Sequence, residues 1–314
     1  MKISIIIVNH NTGKTLKECL DSLFRIENPE LFETIVVDNN SDDNSEEIIR
    51  EYERLHSNVK SIFLKNLVSF SYANNRGYDI SEGEYILIMN PDIIYTEPLL
   101  ERLIENLNDN KNIGAITPML IGTDNKFQTN YFQRYPSVTQ FVLFHSVLMK
   151  IFYKFPKLIN KYFENHDIEN SKDEIFYIEQ IPGAFFLTTK SLFEKAGKMD
   201  ENYKLFFEDM DLSYQFGKFS KLAVNTKLRV THLGGVSFKS EDNWWIYSRY
   251  IMSMNYFFDK NYDFIRSSFL KIFSIYNSFF IVSLELIKSV FGRKDLYRYK
   301  KHKYFLKEFF HYYL

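Results

Sequence analysis

Three clusters of acidic and imidazole side chains have the types and spacing to act on a charged diphosphate. Asp92 closes Asn90-Pro91-Asp92, directly after the apolar run Tyr85-Ile86-Leu87-Ile88-Met89. A lone carboxylate just past a buried strand stands at the carboxyl edge, where open α/β sheets place their ligands. There it can bind a hard divalent cation whose other ligands are phosphate oxygens and water. Glu208-Asp209-Met210-Asp211 places three carboxylates within four residues. Like charges this close raise at least one pKa, which suits a general base. His232 follows about twenty residues later, in Val230-Thr231-His232-Leu233-Gly234-Gly235. Its imidazole can join a metal, and the glycines permit close backbone approach to a phosphate. Together these groups can move a group off a nucleotide diphosphate.

Each cluster also has a purely structural reading. Asn-Pro-Asp makes a turn, since Pro91 removes a backbone donor and ends a strand. Acids at a helix N-terminus favour the helix dipole, and a single histidine is commonly a core residue. Asp38 closes Val36-Val37-Asp38 ahead of Asn39-Asn40-Ser41-Asp42. It can accept the imide N–H of uracil or thymine, or simply turn the chain. Gly13-Lys14-Thr15 ends like a phosphate-cradling loop, but Val8 stands where that loop needs a glycine. The P-loop reading is discarded. No Gly-x-Gly-x-x-Gly follows the first strand, so dinucleotide oxidoreductases lose their main support. A nucleotidyltransferase would need a glycine- and basic-rich loop there, and none is present.

The elements that position these groups follow from hydrophobic period. Residues 3–8 are a near-continuous β-branched run, the pattern of a parallel strand buried on both faces. A helix with Leu16, Cys19, Leu20, Leu23 and Phe24 inward follows. Strands are expected at 34–37, 59–64, 84–89 and 113–117. A second helix, capped from within 41–44, should turn Ile48, Ile49, Tyr52 and Leu55 inward. This alternation predicts an α/β fold with a doubly wound, mostly parallel sheet. Residues 138–163 read as a helical insertion, with Phe141, Phe144, Leu148 and Phe152 on one side and Lys150, Lys154, Lys157 and Lys161 interspersed. Such a helix packs on the domain or lies in a membrane interface. The αβ pattern resumes at 178 and runs to about 238, and the rest is helical, aromatic and basic.

With 314 residues, the chain can bury one large core, or one catalytic domain plus an appendage. A net charge of −1 argues against bulk nucleic-acid binding, so no nucleic-acid partner is expected. That sum hides an asymmetry, because residues 288–307 hold eight Lys/Arg against one acid, Asp295. The run is a solvated face or a contact for anionic lipid. Cys19 is the single cysteine, which rules out an internal disulfide and makes a packed thiol the expectation. The chain runs into its first strand without a charged-then-apolar leader. Its nearest approach to a membrane span is 272–284, thirteen uncharged residues with Asn277 and three serines, bounded by Lys271 and Glu285. The expected location is cytoplasmic, with peripheral contact on the inner face of the plasma membrane.

Taken in order, seven motifs resemble those of the inverting GT-A glycosyltransferases of family 2, particularly the bacterial rhamnosyltransferase-like branch. They are Val8-x-His10-Asn11, Val37-Asp38-Asn39-x-Ser41-x-Asp43, Asn74-Asn75-Arg76-Gly77, Asn90-Pro91-Asp92, Gly183-Ala184-Phe185-Phe186-Leu187, Phe206-Phe207-Glu208-Asp209-x-Asp211-Leu212 and His232-x-Gly234-Gly235-x-Ser237. The resemblance implies a GT-A domain over 1–240, with a Rossmann-like nucleotide-sugar half at 1–118 and an acceptor-side half at 119–240. Residues 241–314 would be a helical C-terminal region. It further implies a metal-dependent inverting hexosyltransferase using Mn2+ or Mg2+. The sugar, rhamnose in that branch, would pass from a dTDP- or UDP-linked donor to an oligosaccharide or lipid-linked acceptor of a growing surface polysaccharide (capsule, O-antigen or cell-wall glycan).

The roles carry over residue by residue. Asp209 would be the base and Asp211 would orient the acceptor, with Glu208 beside them. Asn9, Asn11, Asp38, Asn40, Asn75, Arg76, Asn90 and Asp92 would hold the donor. Gly183, Ala184, Trp244 and Trp245 would meet the acceptor, and Asp92 and His232 the metal. Asn90 takes the first acidic position of the family's Asp-x-Asp-type motif. The chain departs from the family at Asn66-Leu67-Val68-Ser69-Phe70, one residue longer than the usual Asn-Leu-Gly-Phe and without its glycine. Two other readings remain open, namely a catalytically silent sugar-binding scaffold of a polysaccharide assembly complex and the same chemistry with a UDP-hexose. An oligomer is compatible with either.

Overall fold

The N-terminal β-branched run forms β1 (Ile3–Asn9), buried along its whole length. The next strand, β2 (Phe32–Asp38), is buried throughout as well. Parallel strands covered on both faces have no solvent side to alternate toward. In this computed structural model, residues 2–146, 149, 154–155, 167–234, 244–293 and 295–313 are described. Among them the sheet order is β3 (Val59–Phe63), β2, β1, β4 (Tyr85–Met89), β8 (Phe185–Thr189), β6 (Ile113–Ile121), β9 (Lys221–His232) and β5 (Ile93–Tyr95). A further strand, β7 (Ile175–Ile178), pairs with β9.

The block β3-β2-β1-β4 is parallel. Strand β8 then enters antiparallel between β4 and β6. Beyond it β6 and β9 run parallel to each other, and β5 and β7 are antiparallel to β9. The fold class is the one expected, a mixed sheet with a four-stranded parallel N-terminal block and a parallel β6–β9 pair, flanked by helices. The short β5 and the last four residues of β6 go beyond the expected strands.

The crossovers are α1 (Gly13–Ile26), α2 (Ser45–Leu55), α3 (Phe70–Asp79) and α4 (Leu100–Asp109), and α6 (Lys190–Lys195) and α7 (Glu208–Gly217) come later in the sequence. In α1 the buried face carries Leu16, Cys19, Leu20 and Leu23, as the spacing predicts. In α2, Ile48, Ile49 and Tyr52 are buried, but Leu55 is 66% exposed because the helix ends there and turns away. The capping group of α2 is Asp43, whose carboxylate accepts from the Ser45 amide (3.0 Å) and also from the Gly13 amide that opens α1 (2.9 Å). One acid thus satisfies orphan donors at two helix starts. Glu27, at the C-terminal end of α1, does the same for α4 by accepting from Leu99 and Leu100.

These elements belong to a unit made of Met1–Tyr135, Phe163–Asn202 and Glu208–Ser237. A second unit comprises Pro136–Tyr162, Tyr203–Phe207 and Phe238–Leu314. Its helices are α5 (Val138–His145), α8 (Trp244–Asn261), α9 (Phe264–Val290) and α10 (Leu296–Tyr313). The helix expected across 138–163 is described only as α5, with Ser137 and Gln140 forming its capping box; Leu148, Lys150, Phe152, Lys157 and Lys161 fall outside the described residues. Helix α9 is 27 residues long, twice the uncharged stretch seen in the sequence, and is long and apolar enough by length and composition to cross a membrane.

Helix α3 lies directly on the sheet at Gly77. A Cβ placed there would come within 2.5 Å of Ile6 Cγ2 and 3.2 Å of Val37 Cγ2. Both neighbours are fully buried β-branched side chains without room to retreat. Gly77→Ala is expected to cost roughly 1–3 kcal/mol through overpacking, read as a lower midpoint in urea unfolding. An unchanged midpoint would mean that α3 can lift from the sheet without loss.

Candidate active site

Strand direction gathers the candidate residues on one edge. Asn9 and Asp38 are the last, paired residues of the parallel strands β1 and β2. Asn90 and Asp92 follow β4, which is parallel to β1. Because β8 is antiparallel to β4, its leading residues Gly183 and Ala184 lie at that same edge, and the Asn90 amide donates to the Ala184 carbonyl (2.9 Å). His232 ends β9, and the pairing of Ile93 with His232 puts Asp92 beside it.

At the start of the edge, Asp38 Oδ1 accepts from Asn9 Nδ2 (2.9 Å) and Ser41 Oγ (2.6 Å), and Oδ2 accepts from the Ser41 amide (3.0 Å). Three donors fix the carboxylate's plane and leave one lone-pair position on Oδ2 for a further donor. Asn11 and Asn40 both adopt left-handed backbone (φ 53° and 61°), a conformation asparagine tolerates. Asn11 Oδ1 accepts from the Asp42 amide, closing the loop over Asp38. The departing segment at 66–70 is anchored rather than open. Asn39 brackets Val68 with two hydrogen bonds of 2.9 Å, and Ser69 caps α3.

Asn75 and Arg76 lie on α3. Both hydrogen-bonding ends of the Asn75 amide are engaged, Nδ2 by the Met199 carbonyl and Glu201, Oδ1 by the Met199 amide. Arg76 pairs with Asp79 and Glu201 and lies over the Tyr72 ring. In this structure they hold the turn at 199–201 against α3.

The middle of the edge is an acid–imidazole pair. Asp92 Oδ2 accepts from the Gly234 amide (3.0 Å), and Oδ1 stands 3.4 Å from His232 Nε2. Both side chains are almost fully buried. Gln128, which the sequence did not single out, holds the imidazole from behind. Its Nε2 donates to the His232 carbonyl (2.9 Å), so its Oε1 faces Nδ1 at 2.9 Å and accepts the proton there. On the other side of the ring Nε2 faces a carboxylate oxygen, and a nitrogen and an oxygen donor aimed at one point are a set that fits a divalent ion. Among the described residues no group of three or more His, Cys, Asp and Glu gathers. The remaining ligands would be water and phosphate, as is usual for Mg2+ at phosphate sites. Tyr131 packs edge-on against the imidazole at 4.8 Å. The signal for Gln128 and Tyr131 was absent because they lie about a hundred residues from His232, on the far arm of a β6 excursion. Gly235 and Ser237 lie outside the described residues.

The third group is the start of α7 (Glu208–Gly217). Asp209 Oδ2 accepts from the Gly183 amide (3.1 Å) and Gln180 Nε2 (3.2 Å), and Oδ1 from the Met210 amide (2.8 Å). A Cβ on Gly183 would lie 3.1 Å from the Asp209 Cβ, so a larger residue there would push the carboxylate aside. Burial raises the pKa of Asp209, and its three hydrogen bonds oppose that rise. Burial and the neighbouring Asp209 charge push Glu208 up to about 8, and among the described residues its Oε2 has no hydrogen-bond partner. Asp211 is buried, with Gln215 Nε2 at 3.3 Å from Oδ1. Trp244 and Trp245 open α8 in the second unit, where Trp244 meets Tyr304 edge-on.

A family model for glycosyl transferase family 2 matches residues 4–171, more than half of the chain. The chain belongs to glycosyl transferase family 2. The glycosyltransferase GlyG of Streptococcus pneumoniae is 32% identical over 107 residues, 34% of this chain and 35% of that protein. The poly(ribitol-phosphate) beta-glucosyltransferase of Bacillus spizizenii is 37% identical over 105 residues, 32% of this chain and 16% of that one. The chain thus spans a minor part of the curated family 2 relatives it matches. A crystal structure of GalNAc-T7 with UDP, GalNAc and Mn2+ superposes with a TM-score of 0.58 at 15% identity, covering 82% of this chain and 50% of that one. The fold is GT-A. The rhamnosyltransferase-like branch does not emerge from these likenesses.

The raised pKa of Glu208 has a stability consequence. Its folded-state value, about 8, lies above the ordinary 4.5, so the folded state favours the protonated acid. That contribution is complete below pH 4.5 and is lost as pH rises through about 8. Glu208→Gln cannot lose a proton. It should match the wild-type Tm at low pH and exceed it above pH 8, in thermal unfolding followed across that window. A Tm difference independent of pH would show that Glu208 titrates normally.

Proposed function

We propose that this chain is a metal-dependent inverting glycosyltransferase that moves a hexose from a UDP- or dTDP-linked donor to a glycan acceptor. The carrying observation is the convergence, on one sheet edge, of Asp38, the Asp92–His232 pair and the buried, proton-hungry Asp209. Family membership supports transfer. The neighbour solved with UDP, GalNAc and Mn2+ supports a uridine donor and a divalent ion, whereas dTDP-rhamnose rests on motif resemblance alone. The polymer-directed relative supports a cell-wall or other surface polysaccharide as the product.

In this reading residues 1–118 hold the nucleotide and residues 119–240 the acceptor. The free lone pair of Asp38 Oδ2 receives the imide N–H of the base. Asp92 Oδ1 and His232 Nε2 would hold Mn2+ or Mg2+, which when bound neutralises charge growing on the leaving diphosphate. The Gly234 amide and Gln128 keep those two donors aimed at one point. Asp209 removes the proton from the acceptor hydroxyl, whose oxygen forms a bond to the anomeric carbon as the bond to the diphosphate breaks. Attack opposite the leaving group inverts the configuration and needs one base. Protonated Glu208 beside it leaves the pair with a single negative charge, placed on the group aimed by Gly183 and Gln180. Asp211, two residues along, orients the acceptor.

Asp209→Asn keeps shape and removes proton acceptance. Turnover is expected to fall on the order of 10²–10⁴-fold, with donor affinity kept in titration calorimetry. Full turnover would move the base to Glu208 or Asp211. Asp92→Ala should abolish the Mn2+-dependent part of donor binding, and His232→Ala should weaken it less, since one donor atom remains. Donor affinity that is unchanged by Asp92→Ala in the presence of Mn2+ would remove the metal role of this pair.

A further inference from the structure

Helix α9 is turned inside out. A water-exposed helix puts apolar residues inward and polar residues outward. In α9 the buried face carries Ser267, Ser274, Asn277, Ser278 and Glu285, among only a few apolar residues. Each of these polar groups has a partner within the second unit. Asn277 donates to the His145 carbonyl (2.6 Å), Ser278 meets His302 (3.0 Å), and Glu285 pairs with Lys288 and Arg298. The outward face, in contrast, presents Ile265, Phe269, Ile272, Tyr276, Phe280 and Ile287, with Tyr276 at 71% and Ile287 at 60% exposure. Their three- and four-residue spacing makes one stripe along the helix.

Charge borders that stripe. On α10 the exposed positions Lys300, Lys303 and Lys307 share one face with Leu296 and Phe310. Phe310 packs on Phe279 of α9, with ring centroids 6.1 Å apart, so the apolar and basic faces are continuous. Lys301, adjacent in sequence, is not part of this face. It lies half-buried over the Tyr247 ring, and burial lowers its pKa. Of the acids nearby, Glu285 pairs with Lys288 and Arg298 and Glu308 with Arg249, while the exposed Asp295 accepts from the Arg298 amide (2.9 Å) at the start of α10.

From this polarity and charge we infer that the face built by α9 and α10 rests on an anionic lipid surface. The aromatic and aliphatic side chains of α9 enter the acyl boundary, and Lys300, Lys303 and Lys307 meet lipid phosphates. A polar, hydrogen-bonded back and an apolar front are what a helix needs when lipid, not water, covers its outer side. Two copies of the chain packed through this face would instead bring three exposed lysines of each, Lys300, Lys303 and Lys307, against three of the other, with Asp295 as the exposed acid beside them. The inference does not depend on the transfer reaction, and its test does not read activity.

The full chain is floated with vesicles of phosphatidylcholine alone, or of phosphatidylcholine mixed with phosphatidylglycerol. It should bind the mixed vesicles, and less so as salt rises. Lys300→Gln with Lys303→Gln and Lys307→Gln should lower partition on the order of 10²-fold, each lysine contributing about fivefold. Ile272→Ser with Tyr276→Ser and Phe280→Ser should abolish it. All six positions are exposed or on the outer face, and unchanged far-UV circular dichroism verifies the fold of both variants. Partition equal on neutral and anionic vesicles, or unaffected by the lysine changes, would overturn the inference. So would absence of flotation together with a dimer in sedimentation velocity that the apolar triple variant dissolves, which would assign the face to a second copy.

Discussion

The direction of β8 is the constraint on which the active-site geometry depends. Had the chain continued its parallel winding, residue 183 would have entered the sheet at the edge opposite Asp92. Running antiparallel, β8 begins where β4 ends, and the Asn90–Ala184 hydrogen bond seals the junction. The Gly183 amide is then free to hold Asp209, a residue on a helix that follows in sequence. The same reversal sends β9 back parallel to β6, so that His232 emerges beside Asp92 through the β5 pairing. One change of strand direction therefore joins an acid from the first hundred residues to an acid and an imidazole from beyond the two-hundredth. Placement at the carboxyl edge of the parallel strands supplies the remaining groups.

Electrostatics then differentiates acids that look alike in sequence. Glu208 and Asp209 are adjacent and both removed from water, so both resist ionisation. Asp209 has three donors to stabilise its anion, whereas one Glu208 oxygen has none among the described residues. The proton of the pair accordingly resides on Glu208, and the charge on Asp209. A buried carboxylate without donors would be costly. One with too many would be a poor base. Asp209 lies between these limits because Gly183 leaves just enough room for the carboxylate to approach its amide.

Much of this was legible from residue types. The β-branched strands, the inward face of α1, that of α2 apart from Leu55, and the edge positions of Asp38 and Asp92 follow from period and strand ends alone. What escaped is long-range. Asn75 reads as a polar helix residue near a donor loop, but its amide is saturated by a turn 124 residues away. Gln128 carries no local signature, since glutamine is ordinary in a loop; only the β6–β9 pairing shows that it locks His232. The cap of α2 lies within 41–44 as its residue types indicate, but that Asp43 also holds the start of α1 is a pairing a local rule does not see.

The second unit shows where periodicity itself becomes ambiguous. A three- and four-residue apolar stripe states that a helix has two unlike faces, but not which one looks inward. In the first unit the sheet decides, because central strands such as β1 and β4 are almost wholly apolar and favour an apolar helix face. Around α9 the neighbours offer the His145 carbonyl, His302 and Arg298, all hydrogen-bonding or charged partners in a buried setting. Serine, asparagine and glutamate on α9 satisfy them, and turning the helix over would leave both sets unpaired, at about 1–3 kcal/mol for each buried group. The polar lining of the second unit thus forces the rings of α9 outward. Their exposure follows from how that unit satisfies its interior, not from a lack of apolar residues to fill it.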